Sequence, residues 1–153
     1  GGTPKPADLV AHDLSPAGEK WKGFSAKAPK GCKVMKDLLG AARLACGGGG
    51  LTDQHSGFDL IFTPKKRDLA KYKARAKKRW DKKKAKGEFE LLEDKPGLLA
   101  WMTRDGKFRA YLFLMHLKVG GRDITCHPNL MRGGGVEAEH KLHLAACKTL
   151  VKK

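Results

Sequence analysis

Residues 87 to 127 read as extended runs of period two separated by glycine turns, and this period constrains the fold more than any other feature. "EFELLE" is expected to be a strand, "DKPG" a turn, "LLAWMTR" a strand, "DGK" a tight turn, "FRAYLFLMHLKV" a long strand, "GG" a turn and "RDITCH" a strand. Asp105-Gly106 and Gly120-Gly121 supply the positive φ that two-residue hairpins require. The pattern predicts an antiparallel meander of three or four strands. In its longest run Phe108, Ala110, Leu112, Leu114 and His116 face one way, while Arg109, Tyr111, Phe113, Met115 and Leu117 face the other. Both faces are largely apolar, so helices or a partner must cover both over part of that strand.

At 153 residues the chain is expected to form one domain. Residues 1 to 31 hold four prolines and several glycines without a sustained period, which predicts an irregular arm anchored by Trp21 and Phe24. Within residues 32 to 63, Val34, Leu38, Ala41, Ala42 and Ala45 recur at helical spacing before Gly47, so a helix is expected there. A short buried strand over residues 58 to 62 should follow. Residues 64 to 87 read as a long basic helix, and residues 88 to 153 as the meander plus a last helix whose buried stripe is Leu142, Ala146 and Leu150. The expected class is therefore α+β, with a small antiparallel meander packed with helices.

Charge is concentrated. The chain carries 32 Lys and Arg against 16 Asp and Glu, for a net charge of +16. Residues 64 to 87 alone hold 13 basic and 2 acidic side chains, whereas the flanking segments are close to balance. A near-neutral body with one cationic element suits a directed contact with a polyanion. Leu69, Tyr72, Ala76 and Trp80 fall at steps of three, four and four within that element, a narrow apolar stripe that would dock the helix and turn its cations outward. That stripe is too narrow for a helix lying in a membrane interface. No apolar run approaches the ~20 residues needed to cross a bilayer, so no membrane insertion is expected.

Residues 98 to 150, with "WMTRDGKFRAYLFLMHLKVGGRDITCH" followed by "GVEAEHKLHLAACKTL", resemble the ethylene-response-factor type DNA-binding domain and its protist relatives. The resemblance implies a three-stranded sheet on one helix, with the sheet in the major groove. Trp101, Arg104, Lys107 and Arg109 would then be the reading residues, and Glu137, Ala138, Ala145 and Ala146 would lie on the helix.

Four cysteines, Cys32, Cys46, Cys126 and Cys147, form no close Cys-x-x-Cys pair. His140, His143 and Cys147 share one side of the last helix, and Cys126 ends a strand, so these four are the candidate ligands for a zinc ion. With no such ion, no cofactor is expected. For catalysis, Cys32 with His116 or His127 is one arrangement of a thiol hydrolase. His116, His140 or His143 as acid and base would serve a small basic nuclease or toxin domain. "CGGGGLTD" lacks the ending of a phosphate-cradling loop and follows an expected helix.

These features favour a non-catalytic nucleic-acid-binding protein. The expected ligand is structural RNA, in a large ribonucleoprotein such as a ribosome of the cytoplasm or of a mitochondrion, with neighbouring proteins around the body. The phosphate-contacting set is Lys65, Lys66, Arg67, Lys71, Arg75, Lys78, Arg79, Lys82 and Lys83, joined by Arg104, Lys107 and Arg109 on the sheet. A sheet-mediated DNA-binding factor of the nucleus is the second expectation. With Gly1 in place of Met, a processed or cut chain is expected.

Overall fold

The alternating segment supplies four of seven strands in one antiparallel sheet. The computed structural model describes residues 5 to 46, 56 to 63, 68 to 82, 87 to 129 and 134 to 153. Among them are ten strands, β1 (Leu9–Asp13), β2 (Phe24–Pro29), β3 (Lys33–Lys36), β4 (Ala42–Ala45), β5 (Gly57–Phe62), β6 (Gly87–Lys95), β7 (Leu98–Asp105), β8 (Phe108–Val119), β9 (Arg122–Pro128) and β10 (Val151–Lys152). Two α-helices, α1 (Leu69–Lys82) and α2 (Glu137–Cys147), and three short 3-10 helices (Pro6–Asp8, Ser15–Ala17 and Glu19–Trp21) complete the set. The large sheet runs β3-β4-β5-β9-β8-β7-β6, and a second sheet runs β1-β2-β10. Every strand pairing is antiparallel.

This mainly β architecture corrects the expected α+β class, in which a three- to four-stranded meander was packed with helices. Three segments account for the difference. The described part of the expected irregular arm of residues 1 to 31, residues 5 to 31, is instead built around paired strands: β1 and β2 pair in register from Leu9 opposite Pro29 to Asp13 opposite Ser25. Phe24, Ala26 and Ala28 point inward and are buried. Residues 32 to 46 are not a helix but the hairpin β3–β4, with Lys36 opposite Ala42. Asp37 and Gly40 decide this. The Asp37 carboxylate accepts the Leu39 N–H at 2.9 Å, and Gly40 takes φ +83°, a turn chemistry that competes with helix. Leu38, expected on a buried stripe, is fully exposed at the turn. The long basic helix expected over residues 64 to 87 is described as a 14-residue helix, α1, and residues 64 to 67 and 83 to 86 lie outside the described residues.

The principal core lies on one face of the large sheet, closed by the small sheet and α2. Trp21, Phe24, Phe58, Phe113, Leu44, Leu60 and Ile124 are buried there. The Trp21 ring stacks on Phe62 with centroids 4.2 Å apart and meets Phe24 edge-on at 5.5 Å. Its Nε1–H donates to the Gly40 carbonyl at 3.0 Å. Burying an aromatic such as Phe24 or Phe113 contributes about 2 to 3 kcal/mol. A second core on the opposite face consists of Leu99, Trp101 and Leu114, with Leu69, Tyr72 and Ala76 of α1 packed over them.

Both faces of β8 are thereby covered. Leu114 faces α1, while Phe113 and Met115 face the principal core. A close approach fixes the start of β6: a Cβ on Gly87 would stand 1.6 Å from the Arg104 carbonyl oxygen, so only glycine fits.

Two disulfides tie distant elements, Cys32–Cys46 across the base of the β3–β4 hairpin and Cys126–Cys147 between β9 and α2. Their sequence separations of 14 and 21 give a loop-closure stabilisation of about 3 kcal/mol each. Protein prepared without reductant should show no reactive thiol after unfolding, and reduction should shift the denaturant midpoint down by a matching amount. Four reactive thiols in the unreduced protein would contradict the pairing.

Candidate nucleic-acid interface

The basic segment becomes helical because Lys, Arg and Ala are good helix formers and because Asp68 caps the first turn. Its carboxylate accepts the N–H groups of Ala70 and Lys71 at 3.1 and 3.3 Å, and its charge suits the helix N-terminus. The stripe Leu69, Tyr72 and Ala76 then sits on the second core, and Trp80 lies beside Gly87. The four stripe residues are each half-buried.

Docking sorts the cations of α1 into two groups. Lys73 turns toward β6, where its Nζ stands 2.8 Å from the Asp94 carboxylate. Lys77 lies 5.6 Å from the centroid of the Phe89 ring and 3.9 Å from Asp81. Both are held by partners on the sheet or the helix itself. Lys71, Arg75, Lys78 and Arg79 are exposed and take part in none of the ion pairs among the described residues. The Arg75 guanidinium lies 5.7 Å from the Tyr72 ring centroid, which orients it along the helix surface. Lys82 closes the helix, while Lys65, Lys66, Arg67 and Lys83 lie outside the described residues.

Of the four sheet positions, two are engaged within the fold and two are exposed. Trp101 is buried beneath α1. Arg104 is ion-paired with Glu88, its register partner on β6. Lys107 and Arg109 are exposed around the β7–β8 turn. The side-chain faces of β7 alternate, so Trp101 and Arg104 point to opposite sides of the sheet.

The candidate zinc set is corrected by the Cys126–Cys147 disulfide, which removes both thiolates. The physical reason is proximity: the placement that brings a β9 thiol to α2 also suits oxidation to a bridge. His140 and His143 face inward instead, with the His140 ring 5.4 Å from Tyr111 and 5.8 Å from Phe113, and the His143 ring 6.0 Å from Phe58. No group of three or more His, Cys, Asp or Glu residues positioned to hold a metal occurs among the described residues. The thiol-hydrolase arrangement is corrected in the same way, because Cys32 is bonded to Cys46 and sits in a hairpin. His116 stands 3.1 Å from Asp123 on the neighbouring strand, and the ring of His127 approaches the Pro128 carbonyl at 2.7 Å.

One polar cluster had no sequence signal beyond the residues themselves. Arg43 donates to both carboxylate oxygens of buried Asp59, at 2.9 and 3.2 Å, and to Asp37 at 3.0 Å. The Asp59 hydrogen bond is the main reason that the Arg43 pKa lies above its ordinary value. Asp59 stands opposite Arg43 in the β4–β5 register, so strand pairing creates the contact.

No protein-family model matches the chain, and comparison with curated proteins gives no match. The geometry of α1 and the sheet therefore stands alone as ground for function.

Burial lowers the pKa of both His140 and His143, that of His143 to about 4, with the nearby His140 adding to the shift. A histidine depressed in the folded state leaves stability intact above its unfolded pKa near 6.5 and withdraws it as pH falls through the window down to about 4. For His143 the full loss is roughly 3 kcal/mol. Urea unfolding at pH 7 and pH 4 should show His143→Leu losing less stability than the parent chain by that order. Parallel losses in the two proteins would contradict the assignment.

Proposed function

We propose that the chain is a non-catalytic protein that grips the phosphate backbone of nucleic acid along the outer face of α1, with little dependence on base sequence. One observation carries this reading: the stripe that docks α1 leaves Lys71, Arg75, Lys78 and Arg79 together on the solvent side, unneutralised among the described residues. Lys71 with Arg75 and Arg75 with Arg79 are like charges at i, i+4, and each pair costs a few tenths of a kcal/mol. A row of phosphates relieves that repulsion and releases its own counterions.

RNA is the ligand favoured by this reading, since contact along a helix face with phosphates asks for no groove-reading side chains. Base readout from the sheet is less well supported, because Trp101 is covered by α1 and Arg104 is paired with Glu88. In the nuclease reading with His116, His140 or His143, the last two rings are buried, which leaves only His116, 3.1 Å from Asp123, as its candidate. The two disulfides favour an oxidising compartment over the reducing one in which cytoplasmic ribosomes assemble.

Replacing Lys71, Arg75, Lys78 and Arg79 together by Glu should abolish binding to a short mixed-sequence RNA while leaving the circular dichroism spectrum unchanged. In the parent chain, four phosphate contacts give a log–log salt slope of about −3 for single-stranded RNA. Fluorescence anisotropy across a salt series measures both. Retained affinity in the quadruple variant would place the contact on another element.

A further inference from the structure

The β3–β4 turn presents two adjacent leucines to solvent. Leu38 is 103% exposed and Leu39 82% exposed, and Met35 on β3 is half exposed behind them. Single exposed leucines are ordinary on protein surfaces, but two together at the apex of a hairpin form a projecting apolar tip.

The tip is held in place. Asp37 accepts the Leu39 N–H through its side chain and the Gly40 N–H through its carbonyl, at 2.9 and 3.0 Å. Its own N–H donates to the Ala41 carbonyl at 3.1 Å. Arg43 fixes the Asp37 carboxylate, the Trp21 indole donates to the Gly40 carbonyl, and the Cys32–Cys46 bridge crosses the hairpin base. Such a turn is ordered before it meets anything, so contact costs little conformational entropy.

We infer that this turn is a membrane-contact prong that places Leu38 and Leu39 in the interface of an anionic bilayer. The tip is convex, so it suits a medium that yields around it. Its charge is complementary to anionic headgroups. Arg43 is shared between Asp37 and Asp59, so that cluster carries one net negative charge, but it is outnumbered by Lys36 beside it, Lys33 along the strand and Lys20 beside Trp21, which are exposed and belong to no ion pair among the described residues. The net charge of +16 adds a long-range attraction of the same sign.

Strand order separates the prong from the cationic helix. From β4 to β7 the sheet runs β4-β5-β9-β8-β7, about 19 Å at the usual spacing between strands. The inference is independent of what α1 binds.

The test is co-sedimentation of the full chain, disulfides intact, with vesicles of phosphatidylcholine alone and of phosphatidylcholine mixed with phosphatidylglycerol. The chain should pellet with the mixed vesicles. The double variant Leu38→Ser, Leu39→Ser should lose about tenfold or more of that affinity with an unchanged melting temperature, because both side chains leave only solvent. The quadruple Glu variant of α1 is the control for adsorption by charge, and it should keep a Leu38- and Leu39-dependent component. Three results would each overturn the inference: no binding to mixed vesicles, equal binding by the double variant, or a concentration-dependent dimer that the double variant disperses, which would assign the tip to a second copy.

Discussion

The strand β8 sets the terms for the rest of the molecule. Twelve residues long, it is apolar on both faces over its middle, so neither side of the sheet around residues 111 to 115 is left to water. Phe113 and Met115 draw α2 and the small N-terminal sheet onto one face, and Leu114 with its neighbours Leu99 and Trp101 draws α1 onto the other. The requirement on the second face is modest. A stripe of four half-buried residues satisfies it, which leaves the remaining circumference of α1 unconstrained by packing. The cationic surface exists because the core asks so little of the helix that carries it.

That arrangement also explains how a strongly basic helix persists. Exposed ion pairs such as Lys73 with Asp94 and Lys77 with Asp81 contribute no more than about 1 kcal/mol each. They lie on the flank toward β6, where Asp94 neutralises one cation, and not on the outer face. Stability of α1 rests chiefly on the apolar stripe and the Asp68 cap, and the outer charges oppose it. A ligand that neutralises the outer face therefore stabilises the docked helix, while one that competes for the stripe displaces it.

The elements legible in the sequence are those whose period has high contrast. The strands from β6 to β9 are rich in large apolar and β-branched residues, and β6, β7 and β8 are each followed by a turn with glycine at positive φ, so chain pattern and turn chemistry agree. The outward face of α1 followed from its stripe for the same reason. In β2 the inward positions are Phe24, Ala26 and Ala28, and alanine gives too weak a signal to stand out among prolines and glycines. Residues 32 to 46 were ambiguous in a different way. Val34, Leu38 and Ala41 match a helical stripe, but one aspartate and one glycine convert the segment to a hairpin, and the local turn won over the period. The partners of Lys73 and Lys77 come from β6, far along the chain, where no helical spacing points to them. The disulfides were illegible for a related reason: spacing along the chain pairs none of the four cysteines, and only the tertiary fold brings Cys126 to Cys147 and Cys32 to Cys46.

The two surfaces differ in what holds them. α1 covers the second core through noncovalent packing, with no cysteine in the helix or in the strands beneath it. The hairpin tip depends on a covalent base, because Cys32–Cys46 closes the edge of the sheet where β3 has a neighbour on one side only. An edge strand of four residues has few hydrogen bonds to keep it in place. Reduction therefore acts on the two surfaces unequally: the prong loses one of the constraints that order it, the others being the Asp37, Arg43 and Trp21 hydrogen bonds, whereas the packing beneath α1 contains no bond that reduction breaks. The state of Cys32 and Cys46 thus bears on the edge hairpin and not on the packing that places the cationic face.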